Sequence, residues 1–285
     1  MMKHKFIVTI LTHRRPDSVI TYSHLRKFGY TGPILLIVDN EDPTIDEYRK
    51  YYNENEIYVF DKAKEDEITD NCDNLKHRKT ALYARNAAFR IVKELGFRYF
   101  VQFDDDYKHW LYRIGPNYTY KPRLIQSMDA IFDIYLDFFI ESKANSIAMA
   151  LGGDFIGGSE NEITKTWAIQ RKCMASWFCD TEKPLQFSGH MNDDCSQYTV
   201  GGRRGKLYIQ SYMTSVETLP TQSATGGMTE AYKNNGTYVK TMYTVIQAPS
   251  CTKIRRMGRT NMRIHHEIQW NNCATKIIRE KWKKV

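Results

Sequence analysis

The chain has 285 residues, 42% of them hydrophobic and 13% aromatic, with no Pro/Ser/Gly-rich tract and no sustained charge run, which excludes a disordered or fibrous protein and fits one large α/β domain. The 41 Lys and Arg against 33 Asp and Glu give a net charge of +8, which suits a polyanionic partner but is also met in ordinary basic proteins. The apolar run after Met1–Lys5 is too short for a signal-peptide core or a membrane span, so a cytoplasmic, non-membrane location is expected, and six scattered cysteines without a Cys-x-x-Cys pair read as reduced thiols.

In chain order, Phe6–Leu11 reads as a short strand running into the loop Thr12-His13-Arg14-Arg15-Pro16, with Pro16 suited to a first helical turn. Ile34–Val38 is a second buried strand, closed by Asp39, and Ile57–Phe60 is a third. Residues 80–94 carry apolar side chains at helical spacing, ended by Gly96. The next apolar run, 98–103, delivers Asp104, Asp105 and Asp106 to a strand end. Alternating strands and helices over the first 110 residues predict a mostly parallel, Rossmann-type sheet flanked by helices. Ligands in such sheets gather at the carboxyl ends of the strands, where Arg14, Asp39 and the acidic triplet all fall. Asp39 is open between a turn role and a base- or ribose-binding one, and Arg14 and Arg15 between solvated loop residues and phosphate ligands.

Alternate side chains of an extended segment share a face, so Asp104 and Asp106 point one way and Asp105 the other. Two carboxylates on one side repel unless a cation sits between them, and hard oxygen ligands select Mg²⁺ or Mn²⁺. The bland alternative is a solvated turn. In the second half, residues 131–139 read as helix, 146–151, 206–213 and 237–246 as strands, Gly201–Gly205 as a basic turn, and 253–263 as a basic approach to a C-terminal helix. An acidic pair, Asp193-Asp194, and His265-His266 stand out among them.

Several familiar motifs fail on spacing. Gly201-x₃-Gly205-Lys206 is one residue short of a P-loop and has Leu207 where a hydroxyl is needed. His266-Glu267 lacks the second histidine of a zincin, because Trp270 stands there. His265-x-Glu267 has no Pro-Cys-x-x-Cys after it, Gly157-Gly158-Ser159 misses a nucleophile elbow, and no Gly-x-Gly-x-x-Gly is present.

What survives resembles the GT-A glycosyltransferases over most of residues 6–210: Leu11–Pro16 as the first rim loop, Ala84-Arg85-Asn86 on a helix leading to Asp104-Asp105-Asp106, and Asp193-Asp194 before a glycine-bearing turn. This resemblance implies a single GT-A-like domain, with residues 1–110 binding a nucleotide sugar, 111–250 forming the acceptor and catalytic half, and 251–285 a basic tail. It implies donor contacts from Thr12, Arg14, Asp39, Arg85, Asp104 and Asp105. Mn²⁺ or Mg²⁺ would sit on Asp104 and Asp106, with His265 or His266 completing the coordination, and a UDP-sugar is the expected donor. Asp194, and after it Asp193, would serve as the base of an inverting transfer.

Residues 222–240, Pro249-Ser250 and the His265/Trp270/Asn271 tail resemble the phage glycosyltransferases associated with TET-type dioxygenases, more distant relatives of the base J glucosyltransferases. That narrower likeness implies a 5-hydroxymethylpyrimidine acceptor in DNA, contacted by Gly226, Gly227, Tyr238, Lys240, Arg203 and Arg204. Lys206, Lys253, Arg255, Arg256, Arg259 and Arg263 would then hold phosphates, although a basic solvated face explains them as well. Three other readings stay open: a GT-A transferase for a glycan or protein acceptor, a two-metal nuclease built on the acidic triplet, and a non-catalytic DNA-binding module.

Overall fold

The structure is a computed structural model that describes residues 3–114, 121–155, 169–219, 229–257, 262–276 and 280, with backbone alone at 229–237 and 257. Strands β1 (Phe6–Leu11) and β2 (Ile34–Asp39) are buried along their whole length. Their unbroken apolar runs are what a strand covered on both faces requires. β1 pairs in parallel with β2 and with β4 (Tyr99–Asp104), which sets Leu11 opposite Asp104, and β3 (Ile57–Phe60) adds in parallel outside β2.

On the other side of β4 the pairing turns antiparallel to β8 (Trp177–Asp180), which is followed by β7 (Ser146–Leu151) and β9 (Tyr208–Thr218). β5 (Tyr107–Tyr112) and β6 (Arg123–Leu124) close a nine-stranded mixed sheet of order β3-β2-β1-β4-β8-β7-β9-β5-β6. β9 bridges two regions. It runs parallel to β7 from Ser146 opposite Tyr208 and, after a register shift at Met149/Ala150, again at Ser215 and Val216, while over Thr214–Thr218 its other edge pairs antiparallel with β5. The chain can therefore leave β4 at Asp104 and enter β5 at Tyr107 after a two-residue turn, although the two strands stand far apart in the sheet order.

Alternation along β1 feeds two cores. Phe6, Val8 and Ile10 pack beneath α1 (Ile20–Lys27) and α5 (Met128–Ser142), with Leu25 and Phe132, while Ile7 and Leu11 meet Leu82 and Ile91 of α4 (Leu82–Glu94). Short helices α2 (Ile45–Tyr48) and α3 (Lys62–Ile68) follow β2 and β3. α4 ends where Gly96 takes φ +76°, a conformation open to glycine at little cost.

The C-terminal third departs from the expected elements. Residues 237–246, expected as a strand, lie in helix α7 (Thr229–Gln247). Their β-branched and aromatic content misleads, since Thr241, Thr244 and Ala248 are fully buried at helical spacing and Thr241 bonds the Ile264 carbonyl. The basic approach is a hairpin of β10 (Thr252–Met257) and β11 (Arg263–Ile268), and the helix after it, α8, spans only Trp270–Cys273. Gly201 and Gly202, expected in a turn, belong to α6 (Asp193–Arg203). A side chain at either would collide with the Tyr208 phenol or the Cys273 carbonyl, so these glycines let α6 dock tightly. Pro16 stays in the loop before α1. All six cysteines are free thiols, five of them buried. Among the described residues no helix is long and apolar enough to cross a membrane.

Candidate active site

The carboxyl ends of β1, β2 and β4 form one rim, and the acidic turn on it is held from below by α1. Thr21 Oγ1 donates to the Asp104 carbonyl at 2.6 Å and accepts from Tyr107 N at 2.9 Å, while Thr21 N donates to the Asp105 carbonyl at 3.1 Å. Asp105 points inward, but from a turn: β4 ends at Asp104, so the extended alternation expected through Asp106 does not reach Asp105 and Asp106. Thr12 Oγ1 donates to its Oδ2 at 2.9 Å and Arg15 Nη1 reaches its Oδ1 at 2.6 Å. Burial pushes the Asp105 carboxyl up, and Arg15 and Thr12 offset part of that. Thr12 and Asp105, expected to contact the donor, are both buried and engaged with each other, fixing the first rim loop to the acidic turn. Arg14 has φ +56°, donates its backbone N–H to Asp42 Oδ2 at 2.6 Å, and exposes its side chain at the rim.

Asp104 and Asp106 have different surroundings. Asp104 lies 3.1 and 3.3 Å from Arg85 Nη2 through its two oxygens. Asp106 makes no ion pair among the described residues, although the charge of Arg15 acts on it from nearby. Burial, together with the charges of Asp104 and Asp105, pushes it up to about 7. Burial is the larger cause of this shift, and the part due to the two neighbouring carboxylates is what a cation placed between them would relieve. The donor set fits a hard divalent ion of the Mg²⁺/Mn²⁺ kind, which takes one or two carboxylates and leaves its other positions to water and substrate phosphate. Among the described residues no group of three or more His, Cys, Asp or Glu side chains is placed to hold a metal. His265 and His266 accordingly do not join the acidic pair. His265 Nδ1 faces the His266 carbonyl at 2.7 Å, and the His266 nitrogens face Asn192 Nδ2 at 3.1 Å and Cys195 Sγ at 3.5 Å. Burial, then the charges of His265 and Lys240, push His266 down to about 3, which keeps it neutral.

Arg85 joins this rim to the second acidic pair. Its guanidinium is buried, stacks 4.5 Å over the Trp177 ring, and places Nε 2.9 Å from Asp193 Oδ2. That contact is an ion pair outside hydrogen-bond alignment, and Arg85 Nη1 has no hydrogen-bond partner among the described residues. The neighbouring Asn86 clamps the Phe187 backbone in both directions, Nδ2 to O at 3.1 Å and N to Oδ1 at 3.0 Å. The Arg-Asn pair of α4 therefore positions the segment leading into α6. Arg85, expected to contact the donor, acts within the structure as a bridge between Asp104 and Asp193. Asp193 is raised by burial against the opposing pull of Arg85, whereas Asp194, half-buried, gives one oxygen to its own helix through Cys195 N at 2.7 Å. α6 begins with Asn192 at φ +61°, a strained start held by Nδ2 bonds to Thr244 of α7 and His266 of β11.

The residues that sequence reasoning missed lie near these. His13 Nδ1 meets Asp39 Oδ2 at 2.7 Å, and Lys62 Nζ stands 3.3 Å from Asp39 Oδ1. Burial would raise Asp39, but His13 and Lys62 outweigh it and hold the carboxyl below its usual value. Asp42, almost fully buried, caps Thr44 and anchors Arg14. Behind Asn192, His190 is buried between Asp73 (2.7 Å from Nδ1) and the Tyr83 hydroxyl (3.1 Å from Nε2), and Tyr243 of α7 also donates to Asp73. A sequence signal existed only for His13, which sits inside the rim loop.

The expected acceptor residues scatter. Arg203 and Arg204 lie at the far end of α6, about 15 Å from Asp194 at 1.5 Å per residue, with Arg203 Nη1 on Ser250 Oγ at 3.4 Å. Tyr238 is exposed and Lys240 half-buried on α7, and Gly226 and Gly227 lie outside the described residues.

The family described as TET-associated glycosyltransferase matches residues 6–227, from the first strand of this rim to beyond β9. The chain belongs to that family. Its match takes in the rim loop, Arg85, the acidic turn and the Asp193-Asp194 pair, and it stops short of α7 and the hairpin. No curated protein matches the chain. Among solved structures, S. aureus TarS 1-349 in complex with UDP-GlcNAc is similar at 12% identity and TM-score 0.45, over 86% of this chain and 66% of that one. The mannosyltransferase PcManGT from Pyrobaculum calidifontis, in complex with GDP-Man and Mn²⁺, is similar at 11% identity and TM-score 0.46, over 76% and 58%. Glucosyl-3-phosphoglycerate synthase from Mycobacterium tuberculosis with Mg²⁺ and UDP gives 9% identity and TM-score 0.47, over 93% and 88%. The chain spans only 60% of the TarS 1-349 structure without ligand.

Proposed function

We propose that this protein transfers a sugar from a nucleotide diphosphate, with a UDP-sugar as donor, to the hydroxyl of a 5-hydroxymethylpyrimidine base in DNA. The observation that carries this reading is the joining of a rim carboxylate, Asp104, to the acidic pair that opens α6 through one buried arginine, in a chain of the TET-associated glycosyltransferase family. A donor site and a base site must lie side by side for direct transfer.

In this reading the nucleotide lies along the ends of β1 and β2. His13 and Asp39 face its base or ribose, and the exposed Arg14 reaches a phosphate. A divalent cation held by Asp104 and Asp106 would neutralise the diphosphate leaving group. Asp194 accepts the proton of the acceptor hydroxyl, because Asp193 is held by Arg85 and Asp194 retains an oxygen outside its helix-capping bond. Attack from that side without a covalent sugar intermediate inverts the anomeric centre, which the anomeric proton coupling of the product reports. The neutral His266 supports the start of α6 through Asn192.

The test is mass spectrometry of nucleosides from DNA containing hydroxymethylated cytosine or uracil, incubated with the protein, Mn²⁺ and a panel of nucleotide sugars. A sugar-sized mass gain that disappears in Asp106→Ala is expected. Metal-dependent release of UDP with no gain on any DNA would keep the donor half and overturn the DNA acceptor.

A further inference from the structure

Resting on the DNA acceptor proposed above, we infer that the β10–β11 hairpin is the element that grips the phosphodiester backbone of the acceptor strand beside the target base. Residues 252–268 carry five cations, Lys253, Arg255, Arg256, Arg259 and Arg263, against one carboxylate, Glu267. That excess of four is half of the net charge of +8, gathered in 17 residues.

The register sorts the hairpin into two faces. Thr252 pairs with Ile268 and Ile254 with His266; this face is turned inward only toward its Thr252–Ile268 end, where His266 meets α6 and Ile268 packs against the buried Cys251 and Cys273, while Ile254 and Arg256 further along it are exposed. Lys253 stands opposite Glu267 and Arg255 opposite His265, with Arg263 at the end of the same outer face. Lys253, Arg255 and Arg263 are all exposed there. Only Arg255 meets a carboxylate among the described residues, Glu267 at 2.8 Å across the surface. Cationic side chains 2 positions apart along a strand stand roughly 7 Å apart, close to the spacing of successive phosphates in an extended nucleic-acid strand.

The position of this face suits the task. Asn192, the residue that starts α6 two positions before Asp194, bonds both Thr244 of α7 and His266 of β11. The hairpin is therefore anchored through His266 to the turn that presents the candidate base, with Lys253, Arg255 and Arg263 on its opposite, exposed face. Beside it, α7 exposes Tyr238 and Met242, one turn apart, as an apolar surface of the sort on which a displaced base stacks. Arg203 and Arg204, by contrast, lie at the wrong end of α6 to contribute.

The experiment measures binding and transfer on hydroxymethylated DNA across a salt series, for the wild-type protein, for the triple variant Lys253→Gln/Arg255→Gln/Arg263→Gln, and for the charge-keeping Lys253→Arg/Arg263→Lys. Each lost phosphate contact should reduce the slope of log K against log salt by about 0.7–0.9. The triple variant should therefore lose about 2–3 from that slope. Its KM for DNA should rise at least tenfold with kcat changed far less, while the charge-keeping variant follows the wild type. Melting curves guard against a folding defect, and if the triple variant is unfolded the single Lys253→Gln, with a slope change near one contact, decides. Wild-type transfer to DNA with the same slope and KM in the variants would sink the hairpin's role and leave the proposed function standing. A wild-type protein that hydrolyses the donor but neither binds nor modifies DNA would remove both.

Discussion

At the scale of single residues, the four carboxylates of the site are separated by their partners. Asp194→Asn should lower transfer by about 10²–10⁴-fold, the usual loss on removing a general base, with the donor KM nearly unchanged. Asp193→Asn should behave differently, because it leaves the buried Arg85 with one anion fewer and so lowers stability along with activity. Initial-rate kinetics beside urea unfolding curves separate the two. Asp106 gives a pH test. Its native pKa of about 7 lies above the ordinary carboxylate value, so between pH 4 and 7, roughly, the native state holds a proton that the unfolded chain has released. Without metal, this group makes stability fall as pH rises through that window and level off above it. Asp106→Asn should raise the melting temperature of metal-free protein at pH 8 more than at pH 5, and Mn²⁺ should stabilise the wild type but not the variant. The place of Asp104 at a strand end was legible in the sequence because the apolar run before it is local. The bond between Thr12 and Asp105 was not, because it joins residues 93 positions apart, and the pairing of His13 with Asp39, 26 positions apart, was likewise set by the sheet and not by local pattern.

Among the elements, α1 and α4 are the supports of the site. Thr21 makes two side-chain bonds to the acidic turn, so Thr21→Val, which keeps the shape and removes the hydroxyl, should cost about 1–3 kcal/mol in urea unfolding. Mn²⁺ affinity should weaken with it, read by the Mn²⁺-dependent shift in melting temperature; loss of stability without loss of affinity would show that the turn holds its shape unaided. The buried strands β1, β2 and β4 and the helices α4 and α5 were readable from their periods, since each buries a full stripe or face. α7 was not. Its residues favour strands, and only the docking of Thr241 and Thr244 on β11 and α6 decides for helix. The hairpin's His266 adds a pH signature of opposite sign to that of Asp106. With its native pKa depressed to about 3, the unfolded chain takes up a proton first on acidification, so its contribution to stability is lost as pH falls below about 6.5. In His266→Gln that part of the acid loss should vanish from the pH dependence of the unfolding midpoint.

Across the whole molecule, one mixed sheet carries both the rim and the strand that bends away from it. β9 pairs with β7 on both sides of a register shift and, in its second half, with β5 along its other edge, which sets β5 beyond β9 in the sheet while the acidic turn connects it back to β4. The C-terminal module of α7, β10, β11 and α8 docks on α6, through a small core of Ala248, Cys251 and Cys273 and through the stack of Trp270 on Tyr198 at 5.7 Å. Gly202→Ala would push a methyl group into the Cys273 carbonyl. Hydrogen exchange should then show the module loosening while β1, β2 and β4 stay protected, and uniform protection would contradict the tight dock.

Arg85 also limits how a lineage carrying this site can change. A single cation, shut away from water, answers to a partly exposed acid on the rim, Asp104, and to a largely buried one at the start of α6, Asp193. Losing either acid first leaves the arginine short of counter-charge, and losing the arginine first leaves Asp193 buried without a cation. Substitutions at positions 85, 104 and 193 should therefore depend on one another strongly enough that intermediate sequences are less fit than either end, so descendants should keep all three or replace them nearly together.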